Sequence, residues 1–552
     1  MYVRTISRKN KDGSTVTYVQ LAHNARDPQS GQPKANVLHT FGRSDNLDVA
    51  AIKRLTKSLC RFLSPEDAVR AQSVSDGTNV PLTFLRSVPL GGAYLLRSLW
   101  EMLGLHTVLK DCLKERSFTS PVEWAAFAMV ANRALAPDSK RGVEEWIKED
   151  IALGNPEQID LQHLYRAMDV LLTYREIIHK EVYWSVADLL NLEVDLIFFD
   201  TTSTYFERDE EDGDGLRQYG HSKDHRSDLP QIVIGLAVTK EGIPVKCWTL
   251  PGNTSDMATV EKVKSDLMGW KLSRCVWVMD RGMNSEDNRL VLQKAGGQYI
   301  IGEKLRDNQE AHKEVLAKRG RYLKIRENLE IKEVIIGDGE KRRRFILVYN
   351  PEEAKKDKAT REKILTKIDK SLDELGDQRG KAHKKSVCEL MAHRTLGRYL
   401  RQLKDGSIKI DKGKIREEAH LDGKYIISTS DDTLTPEDIA LGYKQLLEVE
   451  RAFRTMKTTL DLRPVYHRKD ERIEAHVFLC FLALMLVRIA ERKTNLTWDK
   501  IRTQMERLHL IEYFSKDGRV LQITEPTREQ LNILKLLKIS PPKRMQDIQM
   551  NP

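Results

Sequence analysis

The sequence predicts an α/β fold: a mixed-sheet core interrupted by an α+β insertion domain and preceded by a mainly helical N-terminal region. Three observations predict it. Between residues 194 and 303 short apolar runs alternate with amphipathic stretches, the pattern of strands joined by crossover helices. Residues 91–190 repeat apolar residues at spacings of three and four, as in Tyr94-Leu95-Leu96-Arg97-Ser98-Leu99-Trp100. Residues 305–434 mix strand-like segments with a charged helical pair and separate that core from the helices needed to complete it. A chain of 552 residues is too long for one core, so several domains are expected.

Residues 1–80 read as a small β-rich region and linker. Turn signals (Lys11-Asp12-Gly13, Asp27-Pro28, Ser30-Gly31) break the alternation of the first 45 residues, and a short helix and linker follow. In the helical region 81–190, Ser120 before Pro121, with Glu123 close behind, marks a helix start. The first part of the core, 191–304, opens with strands at Val194–Phe206, Leu229–Thr239 and Ile243–Leu250, the last two joined by the turn Lys240-Glu241-Gly242. A helix at Thr254–Leu267, a strand at Arg274–Asp280, a helix at Ser285–Lys294 and a strand at Tyr299–Glu303 complete the order βββαβαβ. That order has the topology of a ribonuclease-H-like mixed sheet. In the insertion, 305–434, strands are expected at Tyr322–Ile325, Leu329–Ile336, Arg344–Tyr349 and Lys424–Ser428, with helices between 352 and 403. The core resumes over 435–495. There Thr435 caps a helix with Pro436 in its first turn, running through Glu450 to Lys457. Residues 496–552 read as a helical C-terminal region with a loose tail at Ser540-Pro541-Pro542-Lys543-Arg544 and an expected role in dimerisation.

Bulk composition narrows the class. Six scattered cysteines fit reduced thiols in a cytoplasm and offer no zinc site. The N-terminus lacks the apolar core of a secretory signal. The longest apolar run, Val477–Val487, is far short of the about 20 residues of a membrane span and predicts a buried helix. Net charge is +10, and residues 301–420 alone hold 32 Lys and Arg against 22 Asp and Glu, an excess of the same size. A polyanionic partner and a solvated helical surface both account for it.

Three acids stand in settings that explain them. Asp200 ends the run Leu196-Ile197-Phe198-Phe199, and Asp280 ends Cys275-Val276-Trp277-Val278-Met279. Glu450 sits in the helix. Carboxylates at the ends of neighbouring strands, with a third brought across by a helix, can clamp two Mg²⁺ for phosphodiester chemistry. On one continuous helix Tyr443, Glu450 and Lys457 share a face, with Arg454 flanking it four residues after Glu450. The helical block 81–190 then either grips DNA or serves as a structural arm. His221 and His225 lie in a loop-like run without cysteine nearby, so zinc is not expected. Gly376-x3-Gly380-Lys381 is one residue short of a phosphate-binding loop and lacks a preceding strand, so no nucleotide cofactor is expected. The eight tryptophans are expected in the core.

Phe199-Asp200-Thr201-Thr202, Asp280-Arg281-Gly282 and Tyr443-x2-Leu446-x3-Glu450-x6-Lys457 resemble the three catalytic blocks of DDE transposases from bacterial insertion sequences. The branch is the one with a β-rich insertion before the Glu. Gly220-His221-Ser222-Lys223-Asp224-His225-Arg226-Ser227-Asp228-Leu229-Pro230-Gln231 and Gly252-Asn253-Thr254-Ser255-Asp256 are further similar stretches. The resemblance implies Asp200, Asp280 and Glu450 as catalytic metal ligands and Tyr443 and Lys457 as contacts to the transposon end. Leu446 stands where the family has Arg, and Arg451 or Arg454 is the expected replacement for its phosphate contact. Relatives stack a flipped base on a tryptophan of the insertion. Residues 305–434 contain none, so Tyr322 or Tyr349 is the candidate.

The expected enzyme binds terminal inverted repeats, cleaves with two Mg²⁺ (Mn²⁺ substituting) and joins 3′-hydroxyl ends to target DNA. It is expected to act as a homodimer in a bacterial cytoplasm, associated with the nucleoid, without a membrane or a nucleotide. The alternatives are a nuclease of the same fold that never joins and a transposase-derived DNA-binding regulator without catalysis.

Overall fold

The computed structural model describes residues 1–11, 13–26, 33–63, 83–114, 121–153, 159–190, 196–207, 211, 213–270, 275–305, 310–339, 342–376, 380–515 and 518–550. Ser120 and part of the segment from Gly376 to Lys381 lie outside them. The chain divides into two compact units.

The first unit gathers residues 1–91, 504–534 and 540–552. Strands β1 (Tyr2–Lys9), β2 (Thr15–Arg26) and β3 (Pro33–Arg43) form an antiparallel sheet, the β-rich start the turn signals predict. Helix α1 (Val49–Cys60) follows, its N-terminus capped by the Asp48 side chain, which accepts from the Ala51 amide at 2.8 Å. Strand β4 (Thr83–Pro89) is the edge of a second sheet that otherwise comes from the far end of the chain. Residues 496–552, expected to be helical, supply three strands of it. The first of them, His509–Ser515, is rich in Leu, Ile, Tyr and Phe and is paired on both sides. Its buried Glu512 accepts from Arg86 at 2.9 Å, pairing β4 to the C-terminal segment.

The second unit holds residues 92–503 and 535–539. Helices α2 (Gly91–Met102), α3 (Leu105–Leu113), α4 (Val122–Leu135), α5 (Lys140–Glu149), α6 (Leu161–Thr173) and α7 (Arg175–Leu190) occupy the region read as helical. Helix α4 is buried along nearly its whole length. Its one acid, Glu123, is neutralised by Arg97 at 2.7 Å and accepts from the Trp100 indole at 2.8 Å, as a buried carboxylate must.

Next comes the sheet: β5 (Leu196–Tyr205), β6 (Gln231–Thr239), β7 (Pro244–Pro251), helix α8 (Asp256–Met268), β8 (Val276–Met279), helix α9 (Glu286–Gln293) and β9 (Gln298–Gly302). Each lies within a few residues of the segment the sequence predicts, apart from positions 191–195 and 271–274, which fall outside the described residues. Helices α8 and α9 start at Ser255 and Ser285, whose hydroxyls accept from the amides three residues on.

The following segment adds α10 (Glu310–Ala317), β10 (Leu323–Arg326), β11 (Leu329–Ile336), β12 (Arg343–Tyr349), α11 (Pro351–Gly376), α12 (Gly380–Ala392), a small hairpin β13 (Leu400–Gln402) and β14 (Ile408–Ile410), α13 (Lys412–His420) and β15 (Lys424–Thr429). Four of its strands do not make a sheet of their own. They extend the first one into a nine-stranded sheet of order β10-β11-β12-β15-β9-β8-β5-β6-β7. The ladders β5–β8 and β8–β9 are parallel and the rest antiparallel.

Helices α14 (Pro436–Lys444), α15 (Leu447–Thr458), α16 (Asp470–Thr494) and α17 (Trp498–Met505) complete this unit. Helix α16 is long and apolar enough to cross a membrane, yet 89% of its most apolar window is buried, against α4 and α6 among others. It is a core helix. The chain closes, in the first unit's sheet, with β16 (His509–Ser515), β17 (Gly518–Ile523), helix α18 (Arg528–Leu536) and β18 (Met545–Met550), in the order β18-β17-β16-β4. The tail read as loose thus leads into a paired strand. Trp100, Trp146, Trp248, Trp270, Trp277 and Trp498 are buried, as expected of core residues, whereas Trp124 is half-buried and Trp184 is 36% exposed.

Candidate active site

Asp200 and Asp280 are brought together by strand register. The parallel ladder between β5 and β8 pairs Phe199 with Met279, so the next residue on each strand is an aspartate. Met279 is the last residue of β8, while β5 runs on to Tyr205 against β6. Asp200 therefore stands where one side of its strand loses a neighbour. Asp280 begins a 3₁₀ turn, Arg281–Met283.

Glu450 arrives from the other side. Helix α14 starts as the sequence predicts, with the Thr435 hydroxyl accepting from the Asp438 amide at 3.1 Å and Pro436 in the first turn. The helix expected to run unbroken to Lys457 does not. At Gln445 and Leu446 the bonding shortens to three-residue steps (Gln445 N to Gly442 O at 2.9 Å, Leu446 N to Tyr443 O at 3.1 Å), and α15 restarts at Leu447. Both residues keep right-handed helical angles, so this is an overwound joint between two helices. Tyr443 and Glu450 thus sit on separate helices, although both border one cleft, and Lys457 turns to Asp224. Helix α15 packs Val449, Ala452, Phe453 and Met456 inward, against β5 and β6 among others, and leaves Glu450, Arg451 and Arg454 exposed.

All three acids nevertheless line one cleft of about 640 Å³, with Tyr443, Arg281 and Lys424. Tyr443 donates to Asp280 Oδ1 at 3.3 Å. Burial, reinforced by that carboxylate, raises the phenol far above its ordinary value and keeps it a donor. Gly302 makes the approach possible: a Cβ there would lie 2.2 Å from the Tyr443 hydroxyl. Lys444 and Leu446 also border the cleft. Among the described residues, the cations that line it are Arg281, Lys424 and Lys444. Arg451 instead pairs with Glu448 at 2.6 Å, and neither it nor Arg454 lines the cleft. Tyr322 and Tyr349 pack on each other with ring centroids 5.9 Å apart.

The two glycine-bounded stretches singled out in the sequence both end at this site, which their composition alone does not reveal. Lys223 Nζ donates to the Thr201 carbonyl and hydroxyl at 2.7 Å each and lies 3.6 Å from Asp200 and 3.4 Å from Asp256. The Thr201 hydroxyl also donates to Asp256. Gly220 and Gly252 let the two stretches touch, since a Cβ on Gly220 would lie 2.1 Å from the Gly252 carbonyl. The neighbouring Asp224 accepts from Lys457 at 2.9 Å and Arg463 at 3.2 Å, tying the stretch to α15. Burial draws the Lys457 amine down even with that carboxylate beside it.

Among the described residues no three acid, histidine or cysteine side chains stand close enough to hold one ion together. The site is a close pair of aspartates with Glu450 across the cleft. It still fits a divalent cation. Burial foremost, with repulsion from Asp280 and Asp256, lifts Asp200 to about 6, against the pull of Lys223. An added positive charge would relieve that crowding, and carboxylate oxygens are the donors a hard cation prefers.

A mixed α/β core presenting paired carboxylates in an open, cation-lined cleft defines a candidate phosphodiester-processing enzyme, and the comparisons name the class: the chain belongs to the Transposase DDE domain family, which matches residues 195–486. Residues 3–69 match the N-terminal domain of IS1634 family transposases, so the chain is an insertion-sequence DDE transposase. Its family acts with divalent metal. No curated protein matches it. Among solved structures it is similar to a piggyBac transposase synaptic complex with hairpin DNA, at 10% identity and a TM-score of 0.36, over 77% of this chain and 82% of that one.

Proposed function

We propose that this DNA transposase binds the terminal inverted repeats of its element, cuts at their tips and joins the freed 3′-hydroxyls to target DNA. The observation that carries the reading is the β5–β8 register, which sets Asp200 beside Asp280 in a cleft that Glu450 also lines. The strand order β7-β6-β5-β8-β9, antiparallel then parallel, supports a ribonuclease-H-like core. Asp200, Asp280 and Glu450 would hold two Mg²⁺, with Mn²⁺ able to substitute. Such ions, when bound, activate a water or 3′-hydroxyl and steady the leaving oxygen. Tyr443 orients Asp280 through its hydrogen bond, and Lys223 holds the backbone beside Asp200. Arg281, Lys424 and Lys444 offer their charge to the phosphate backbone in the cleft. Lys457, Arg451 and Arg454 lie along α15, where an approaching DNA end meets them. Two protomers act together, since joining two ends to one target requires two sites.

The test uses the DNA flanking the reading frame, with its terminal inverted repeats, as substrate in Mg²⁺. Wild type should cut at the repeat tips and give joined products. Asp280→Asn should bind the ends yet cut more slowly by on the order of 10³-fold, the scale of losing a transition-state charge stabiliser. Cutting without joining would leave a nuclease, and binding without cutting a regulator.

A further inference from the structure

Beside the catalytic cleft lies a second cavity of about 390 Å³, lined by Arg289 and Leu290 of α9, by Tyr299 of β9 with Glu303 just beyond it, and by Arg342 and Arg343 at the start of β12. The two share Glu303 in their walls. This carboxylate is almost wholly enclosed, with 2% of its side chain exposed. Its Oε2 accepts from Asn284 at 2.7 Å and meets the His312 imidazole at 3.1 Å. Its Oε1 accepts from Arg343 at 3.3 Å, with Arg289 at 3.6 Å. Two guanidiniums therefore lean on one carboxylate oxygen. Each has further N–H donors, and both line the cavity.

Among the described residues that line the cavity, cations outnumber acids: Arg289, Lys304, Arg342 and Arg343 against Glu286 and Glu303. Arg342 is taken by Asp432 at 2.8 Å. Arg289 and Arg343 both lean on Glu303, with Glu286 also near Arg343. Burial foremost, then the nearness of Arg289, draws the Arg343 guanidinium down against the pull of Glu303 and Glu286. A phosphodiester carries one negative charge and two free oxygens, which suits two guanidinium forks. Asn284 donates to the Gly302 carbonyl at 3.0 Å as well as to Glu303, and Gly302 borders the catalytic cleft.

We propose that the Arg289–Arg343 cavity is a subsite for a DNA backbone phosphate next to the one being cut, with buried Glu303 fixing both guanidiniums. This rests on the transposase reading. It assigns DNA-positioning roles to Arg289 and Arg343, which touch none of the catalytic acids in the structure.

The experiment measures anisotropy of a labelled repeat-end duplex across a salt series, for wild type, Arg289→Gln and Arg343→Gln. Each variant should bind roughly tenfold more weakly, and the slope of log affinity against log salt should fall by about 0.9. Single phosphates near the cut point are then replaced by neutral methylphosphonates. One position should cost wild type affinity and cost Arg289→Gln nothing further, a coupling that general loosening of the fold would not produce. Unchanged slopes, or additive losses at every position, overturn the proposal while wild-type cutting leaves the transposase standing. Inorganic phosphate that competes with DNA on wild type only, with additive methylphosphonate losses, makes the cavity a site for the free ion and also overturns it. Wild type that neither binds nor cuts the duplex sinks the transposase reading itself.

Discussion

At the scale of single residues, Tyr443 reaches Asp280 because position 302 has no side chain. Tyr443→Phe removes the donor and leaves the ring in place, so the metal concentration for half-maximal cutting should rise about 10- to 100-fold, as it does when an outer hydrogen bond to a metal ligand is lost. A Mg²⁺ titration of cleavage reads this directly, and an unshifted midpoint would place Tyr443 outside the metal's surroundings. Gly302→Ala should resemble it, because the new methyl occupies the hydroxyl's place. The aspartates themselves were legible in the sequence: an acid closing an apolar run stands out against its neighbours. Lys223 and Asp256 were not legible as partners. Their stretches lie on either side of a strand pair in sequence, and only the folding of β6 and β7 back to the site makes them meet Asp200.

Among the elements, α15 is held by the loop that carries Asp224. That carboxylate takes both Lys457 and Arg463, and its side chain is 18% exposed. Asp224→Ala should cost about 1.5–3 kcal/mol, the range for hydrogen bonds to charged groups. Denaturant unfolding checks it: a loss below a few tenths of a kcal/mol would show that α15 seats without the tie. The overwound joint at Gln445–Leu446 could not be read in advance. Both residues keep helical angles, no Pro interrupts the stretch and Gly442 lies inside α14, so the division into two helices follows from hydrogen-bond register alone. The strands of the C-terminal segment were missed for a related reason. The runs there are short and lack strict alternation, and β16 gains its second partner, β4, from the other end of the chain.

For the molecule as a whole, buried histidines set an acid limit. His179 and His476 are enclosed, and burial foremost, then neighbouring cations, pushes both well below 6.5. The fold keeps them neutral while the unfolded chain takes a proton near 6.5. The unfolded state thus binds more protons as pH falls, and stability is lost at up to roughly 1.4 kcal/mol per histidine per pH unit below that value. His467, drawn down to about 4 mainly by burial, adds to this, while Asp200 works in the opposite direction between 3.8 and about 6, one group against three. Thermal unfolding should therefore begin at lower temperature at pH 5.5 than at pH 7, and a flat profile would mean the imidazoles are not enclosed. Sedimentation of the DNA complex should give two protomers per pair of ends; one protomer would remove the paired-site mechanism.

The pairing of β4 with β16 has a consequence for how the protein is made. Arg86 and Glu512 are 426 residues apart, and at 5–20 residues per second a ribosome needs roughly 20 to 85 s to pass from one to the other. Throughout that interval β4, with Phe84 and Leu85 exposed even in the finished fold, waits as an unpaired edge. A message cut short before codon 509 would leave it waiting for good. Truncated transposase should therefore accumulate as aggregate, so that only a fully translated chain yields a molecule able to move DNA.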